Sequence, residues 1–599
     1  MGEKIITTLM DVKKWNPIWL VLPGLVLSLT LYTIYIALAQ PQVPYMDSML
    51  YLVQVEKILR GEITWFSVYG SGEHRGLIFP FVLLVEWIFW AVDARITTLL
   101  TGVVVAATFF YWLRSLVLVR FDIFGESRSS VKTFILAIAA AFIIVSPAAF
   151  ELWTLDLGFA QLVKNLLIVL FFYQLSVTRV WNKNFICALL FGSWGGFLIL
   201  FATYGWSYSF LAATAFAVVC IFYSEPHARI KVAVVLVIMV LAQYLYIRLG
   251  HGVFSNSQYA SQDLAMLELV KGMLYGASSS FMGTEVMTRS GVPVIAVMLF
   301  GGLLLVCSCI ALIRTLITPS PVKVFAAALL VFSLTVLAGV TLARGATNYF
   351  NTGASRYFVD YVWLLLAPVL IFTKSVDTFV LPSHLSWLGC FPLQKIYDVA
   401  RLLMALLLGI AFLGHLLTWS VELKAAPYRA EVFKSMANVY RQGVIGEPDA
   451  NLLQSPYDVA RRGVSVAQRY NLAVFRTETS LCNLKTAAYT GDWYSAEQDG
   501  SRWMGKQAVL VVSKCAGPVI LNVYIPKYFS ARTLKIGYDD HMRAIQLEPG
   551  ASTSITLDDR TNKRDQIELS LDTTTNPSAQ GVNADGRDLG MLLTFIGTD

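Results

Sequence analysis

Four ionisable residues fall early in the chain, Asp47 and then the run Glu73-His74-Arg75. A carboxylate can take the proton from an attacking hydroxyl. An arginine presents a fixed two-pronged fork to a phosphate, and a neighbouring histidine can add a further hydrogen bond or order the turn. Asp47 is therefore the candidate base. Glu73, His74 and Arg75 are candidate binding groups, with Glu73 orienting Arg75 or taking a sugar hydroxyl. Two later stretches repeat the pattern of one or two charges framed by aromatics. One runs from Ser146 through Glu151, Trp153 and Asp156; the other holds Arg344 and then Ala354-Ser355-Arg356-Tyr357. Glu151, Trp153 and Asp156 suit sugar or acceptor contacts, because an aromatic face beside carboxylates fits a pyranose. Arg75 and Arg356 suit a phosphate leaving group, whose charge grows as its bond breaks. Arg344 and Tyr357 complete the candidate set. These types suit a site that takes a phosphorylated lipid and a hydroxyl acceptor.

The elements that must position these residues are membrane helices. Hydrophobic residues make up 56% of the 599 and charged residues 14%, where a soluble chain carries about a quarter charged. The net charge of +7 is spread over short loops as topology signals, so no nucleic-acid partner is implied. Lys4, Lys13 and Lys14 precede an apolar run from Ile18 to Ala39. That run is a full bilayer span, which reads as an uncleaved anchor although Ala37-Leu38-Ala39 resembles a signal-peptidase site. Leu77–Trp90 is apolar but short and is expected to lie against the outer leaflet. Residues 96–119 then form the second span, since Arg114, Arg120, Arg128 and Lys132 mark its far end as the inner side. Further spans are expected near 133–147, 161–178, 185–202, 205–222, 231–248, 292–313, 323–342, 357–373 and 397–420. The reading is a multi-pass protein of about eleven spans, N-terminus inside and C-terminus outside. All three chemistry-bearing stretches then fall on the outer face, and the spacing of Met49, Leu52, Val55 and Leu59 predicts an amphipathic helix on the membrane surface after Asp47.

Beyond residue 420 the composition turns polar. Residues 421–470 read as a helical linker, and 471–599 as an exported all-β domain, a sandwich or jelly roll, from short alternating runs between turn residues. The transmembrane catalytic part is 1–420. Seven cysteines form no disulfide framework; Cys482 and Cys515 permit one bridge in an oxidising compartment. No Cys-x-x-Cys or His-x-x-x-His spacing suggests a metal site. The residues imply no cofactor, and the metal requirement stays open.

An anchor helix, an outward loop with an early Asp and a following amphipathic helix, many further spans and an exported β-domain resemble the GT-C glycosyltransferase superfamily. Met46-Asp47-Ser48, Glu73-His74-Arg75, Ser146-Pro147 with Phe150-Glu151-Leu152-Trp153, and Ala354-Ser355-Arg356-Tyr357 resemble blocks of bacterial membrane proteins assigned to it. Gly72 stands where Asn is expected, and a single acidic residue stands at Asp47 where some members have two. The resemblance implies an inverting transfer of sugar from a polyprenyl-phosphate donor to a cell-envelope glycan or lipid acceptor. It places the enzyme in the inner (plasma) membrane, with the C-terminal domain periplasmic or extracellular. An O-antigen ligase or polymerase also uses outward Arg and His, although in one large late loop. A transporter requires polar or broken mid-span segments.

Overall fold

Apolar runs of about twenty residues can satisfy their backbone polar groups inside a bilayer only as helices, and helices dominate the computed structural model up to Thr477. The described residues are 18–69, 76–123, 129–203, 205–249, 266–289, 291–345, 348–372, 393–444, 446–477, 487–497, 500–512, 519–538, 541–557 and 566–598. In chain order the helices are α1 (Ile18–Ala39), α2 (Ser48–Leu59), α3 (Trp65–Tyr69), α4 (Ile78–Trp90), α5 (Ala94–Ile123), α6 (Ser129–Ile144) and α7 (Phe150–Thr154). There follow α8 (Asp156–Tyr173), α9 (Phe185–Phe201), α10 (Ser207–Ser224), α11 (Arg229–Leu249), α12 (Met266–Ser278), α13 (Thr284–Arg289) and α14 (Val294–Ile317). The last are α15 (Pro321–Val340), α16 (Phe358–Ile371), α17 (Leu393–Gln442), α18 (Glu447–Leu452), α19 (Tyr457–Arg469) and α20 (Val474–Thr477).

Among the described residues nine helical stretches are long and apolar enough to cross a membrane. They lie in α1, α5, α6 with α7, α8, α10, α11, α14, α15 and α17. The chain is a multi-pass membrane protein. Two other expected spans coincide with shorter helices, α9 of 17 residues and α16 of 14. At 1.5 Å per residue these reach about 26 and 21 Å, short of a hydrocarbon core of about 30 Å. Helix starts follow local chemistry: the Asn184 side chain accepts from Cys187 N, and Ser320 accepts from Lys323 N with Pro321 in the first turn. The last span, expected to end at 420, continues as helix to Gln442. Nothing between Ser420 and Gln442 breaks it except the tolerated Pro427, and Gly443, at φ 83°, ends it in the left-handed conformation.

By contacts the chain forms two compact units: Met1–Ala39 with Thr64–Phe81 and Thr98–Pro427, and Gln40–Ile63 with Val82–Thr97 and Tyr428–Asp599. In the first unit, small residues let helices close up. Gly192, Gly195 and Gly196 of α9 face α11, where an added Cβ would stand 2.9 Å from Ile238 Cδ1 and 2.7 Å from Met239 Sδ. Such seams replace the hydrophobic drive that lipid does not supply.

In the second unit, α2 has the predicted apolar spacing, but its buried face (Met49, Leu52, Val55) packs on α19, where Met49 fills the space beside Gly463. The chain's own helix, rather than a membrane surface, covers that face. Glu56 pairs with Arg469 at 2.6 Å, Tyr440 Oη donates to the carbonyl of Pro44 at 2.7 Å, and Met46 N donates to Leu453 O.

The β-domain has eight strands: β1 (Ala488–Ala496), β2 (Arg502–Val511), β3 (Val519–Tyr524), β4 (Arg532–Tyr538), β5 (His541–Leu547), β6 (Ser552–Leu557), β7 (Gln566–Leu571) and β8 (Met591–Thr598). They make one antiparallel hydrogen-bonded sheet in the order β5-β4-β7-β2-β8-β3-β6, with β1 on the other edge of β2. The sheet forks at Gly505. β2 pairs with β8 through Met504 and with β7 from Gln507 onward. A strand that changes partners in this way wraps the sheet around its own core, here Leu510, Leu521, Leu534, Ile536, Ile555 and Leu593. Gly590 lies against the Gly505 carbonyl with no room for a Cβ. The fully buried Arg532 donates to the carbonyls of Leu589 and Gly590 and to Thr575 Oγ1.

Candidate functional site

The polar residues of the first unit gather where α6 gives way to α7 and α8. Ser146 ends the α6 segment; its hydroxyl accepts from Ala148 N, and Pro147 opens a single 3-10 turn. α7 then carries Glu151 and Trp153, extended Leu155 interrupts the helix, and α8 restarts at Asp156. The tight reversal leaves Gly158 against the Leu152 carbonyl, where no side chain fits.

The reversal delivers Glu151 to a turn 204 residues later. Ser355 Oγ donates to Glu151 Oε2 at 2.7 Å, and Arg356 Nη1 donates to Oε1 at 3.3 Å. The Arg356 side chain stays 40% exposed and Glu151 20%. The guanidinium also lies over the Tyr357 ring, 5.6 Å from its centroid, and Tyr357 in turn packs against Tyr361. The structure thus brings together Glu151, Arg356 and Tyr357. A partly exposed guanidinium oriented by a carboxylate can bind an oxyanion in a fixed direction.

The other predicted residues lie elsewhere. Trp153 is fully buried, its ring packed against Tyr32 at 4.9 Å, Tyr35 at 5.6 Å and Trp419 at 6.2 Å. Its indole N–H has no hydrogen-bond partner among the described residues. Asp156 is buried in the first turn of α8, where the helix dipole favours a carboxylate. Arg344 is half-buried in the π-turn Thr341–Gly345 that follows α15. Asp47 belongs to the second unit; it is exposed just before α2, and its carbonyl accepts from Tyr51 N. Glu73, His74 and Arg75 lie outside the described residues, as do Cys482 and Cys515. Among the described residues no three His, Cys, Asp or Glu side chains are grouped as a metal ion requires.

Sequence reasoning passed over a second polar layer in the first unit. Lys164 of α8 and Asp360 of α16 form a salt bridge of 3.3 Å with both side chains at zero exposure. The next residue, Asn165, donates to the Val359 carbonyl, Ser333 Oγ to the Asp360 carbonyl, and Ser280 Oγ to the Tyr361 carbonyl. His415 is fully buried within α17. Its Nε2 donates to the Ser280 carbonyl at 3.0 Å, so Nδ1 accepts from the Ser146 hydroxyl at 2.7 Å. One neutral imidazole therefore ties three separate segments together. The available signal was the lone charge: Lys164 and Asp360 each stand inside an otherwise apolar run, which marks a paired or functional group in a membrane protein.

No protein-family model, curated protein or solved structure matches the chain.

Proposed function

We propose that the chain is a membrane glycosyltransferase that moves a sugar from a polyprenyl-phosphate donor to a glycan or lipid acceptor of the cell envelope. The observation that carries this reading is the Glu151–Ser355–Arg356 junction. Two turns distant in sequence, one closing the membrane-length stretch Phe134–Thr154 and the other opening the shorter α16, hold one partly exposed guanidinium. Arginine in that setting matches a lipid phosphate, whose charge increases as the glycosidic bond breaks. The acceptor hydroxyl requires a base, and Asp47 is assigned that role from the sequence. Under this reading α9 and α16 complete about eleven spans. The junction then faces outward from the inner membrane, and α4 lies against the outer leaflet.

A second reading, an ion-coupled transporter, draws on the buried Lys164–Asp360 pair, since intramembrane charges commonly line ion pathways. Transfer of sugar from membrane-extracted lipid-linked donors separates the two. Wild-type chain in proteoliposomes supports transfer under the first reading, and Arg356→Ala lowers it together with affinity for the bare lipid phosphate. Ion-dependent solute uptake without any transfer would favour the second.

A further inference from the structure

The same two stretches of chain meet twice. Residues 151–165 and 355–361 are joined first by Glu151 with Ser355 and Arg356, then by Lys164 with Asp360 and by Asn165 with the Val359 carbonyl. The two junctions differ in burial. The first is partly exposed, and such a pair fixes geometry weakly. The second is wholly buried, and its partners cannot be exchanged for water. Asp360 is four residues beyond Arg356, about one helical turn. The contact of Tyr357 with Tyr361 shows the same four-residue spacing bridging this turn into α16. Three successive carbonyls at the start of α16, those of Val359, Asp360 and Tyr361, each accept a side-chain hydrogen bond from a different element.

We infer that Lys164 and Asp360 are positioning residues for Arg356: their buried pair sets the register of the 355–361 turn and so aims the guanidinium. The inference rests on the phosphate role proposed for Arg356. Lys164 also keeps the Asp360 carboxylate engaged. Without it, the nearest cation along the chain is Arg356, four residues before Asp360, and an arginine drawn to Asp360 is turned away from a ligand phosphate. The pair is not fully used up by its own contact. Asp360 Oδ2 and Asn165 Oδ1 have no hydrogen-bond partner among the described residues, and Lys164 has further N–H groups beyond the one given to Asp360. Register here thus depends on one charge contact and a few side-chain hydrogen bonds, and small changes at Lys164 or Asp360 move the turn.

The test uses the full chain in lipid nanodiscs. Four proteins are compared: wild type, Lys164→Met/Asp360→Leu, Asn165→Ala and Arg356→Ala. Each is measured by thermal unfolding, by binding of a synthetic polyprenyl phosphate, and by amide hydrogen exchange over 355–361. The double variant removes both charges together and so leaves no buried charge uncompensated. It is expected to unfold near the wild-type temperature, to bind the lipid phosphate about tenfold more weakly, and to exchange about tenfold faster over 355–361. Asn165→Ala, which leaves the ion pair intact, is expected to show the same two changes in smaller degree, and it decides the question if the double variant does not fold. Wild-type exchange over 355–361 in Asn165→Ala, or in a folded double variant, would overturn the positioning role. Absence of lipid-phosphate binding by wild type would instead remove the phosphate reading, while the exchange data still decide whether the pair positions the turn.

Discussion

Two fully buried cations, one in each unit, are satisfied in opposite ways. Arg532 of the β-domain is met by neutral acceptors, the carbonyls of Leu589 and Gly590 and the hydroxyl of Thr575. Burial holds its pKa below the ordinary arginine range, and Asp572 partly opposes that shift at a distance. Lys164 of the helical unit is met by a single carboxylate, one of whose oxygens has no hydrogen-bond partner among the described residues. The planar fork of arginine suits several convergent carbonyls, whereas an ammonium is a point charge that wants a counter-ion. The difference teaches which cation is architecture. Arg532 closes the fork where β2 changes partners, and its acceptors are neutral: backbone carbonyls and one hydroxyl. Lys164 sits in a junction that is electrostatically specific and incompletely satisfied, as expected of a group that serves a neighbour.

The comparison breaks most sharply under single charge removal. Lys164→Met or Asp360→Leu alone leaves an uncompensated buried charge, and each is expected to cost about 3–5 kcal/mol, read as a large fall in thermal unfolding temperature of the full chain. A fall no larger than that of a surface substitution would show that the charges are not buried as a pair. Arg532→Met comes next. It removes the donor from the Gly590 carbonyl and the Thr575 hydroxyl, while the Leu589 carbonyl keeps the Thr575 N–H; the cost is about 1–3 kcal/mol for each buried group left unsatisfied, and the loss should be confined to hydrogen exchange in β2, β7 and β8. Arg532→Lys should recover little, because an ammonium cannot span three acceptors. Full recovery would mean that the fork needs only a positive charge.

The smallest effect concerns pH. Arg587 donates to Asp585 and Glu497, and its hydrogen bonds hold the Asp585 carboxyl below the ordinary carboxylate range. A depressed native pKa adds stability that is complete above the unfolded value of about 4 and is lost as pH falls through the native one. The β-domain should therefore lose a little stability only in strong acid, and Arg587→Ala should flatten that dependence. An unchanged acid profile in Arg587→Ala would separate the loop pair from stability altogether.

How much of this the sequence carried differs by layer. Composition was enough for the membrane class. The strand Gln566–Leu571 stands where alternation places it, because alternating runs between turn residues are a local signal. Partner choice is not local. Nothing in Ser48–Leu59 distinguishes a helix lying on lipid from one packed on α19, since both demand the same apolar stripe. Helix after residue 420 was legible, but its continuity with the last span as one helix to Gln442 was not, because the turn from apolar to polar residues reports the solvent rather than a break in the helix. Likewise the change of β2 from β8 to β7 at Gly505 follows from two glycines far apart in sequence. At the candidate site, Glu151 and Arg356 were both legible as isolated charges in aromatic loops, although their contact with each other was not. Lys164 and Asp360 were visible as letters, and only the packing of α8 on α16 makes them a pair.

The most direct test of the central claim compares two variants in one assay, transfer from membrane-extracted lipid-linked sugars, with binding of the bare polyprenyl phosphate measured separately. Arg356→Ala should weaken binding of the lipid phosphate and lower transfer, since it removes the cation facing the leaving group. Asp47→Asn should leave binding unchanged and lower transfer by about 10²–10⁴, because it keeps the shape of the side chain and removes the base. Full transfer activity in Asp47→Asn, or undiminished phosphate binding in Arg356→Ala, would contradict the account.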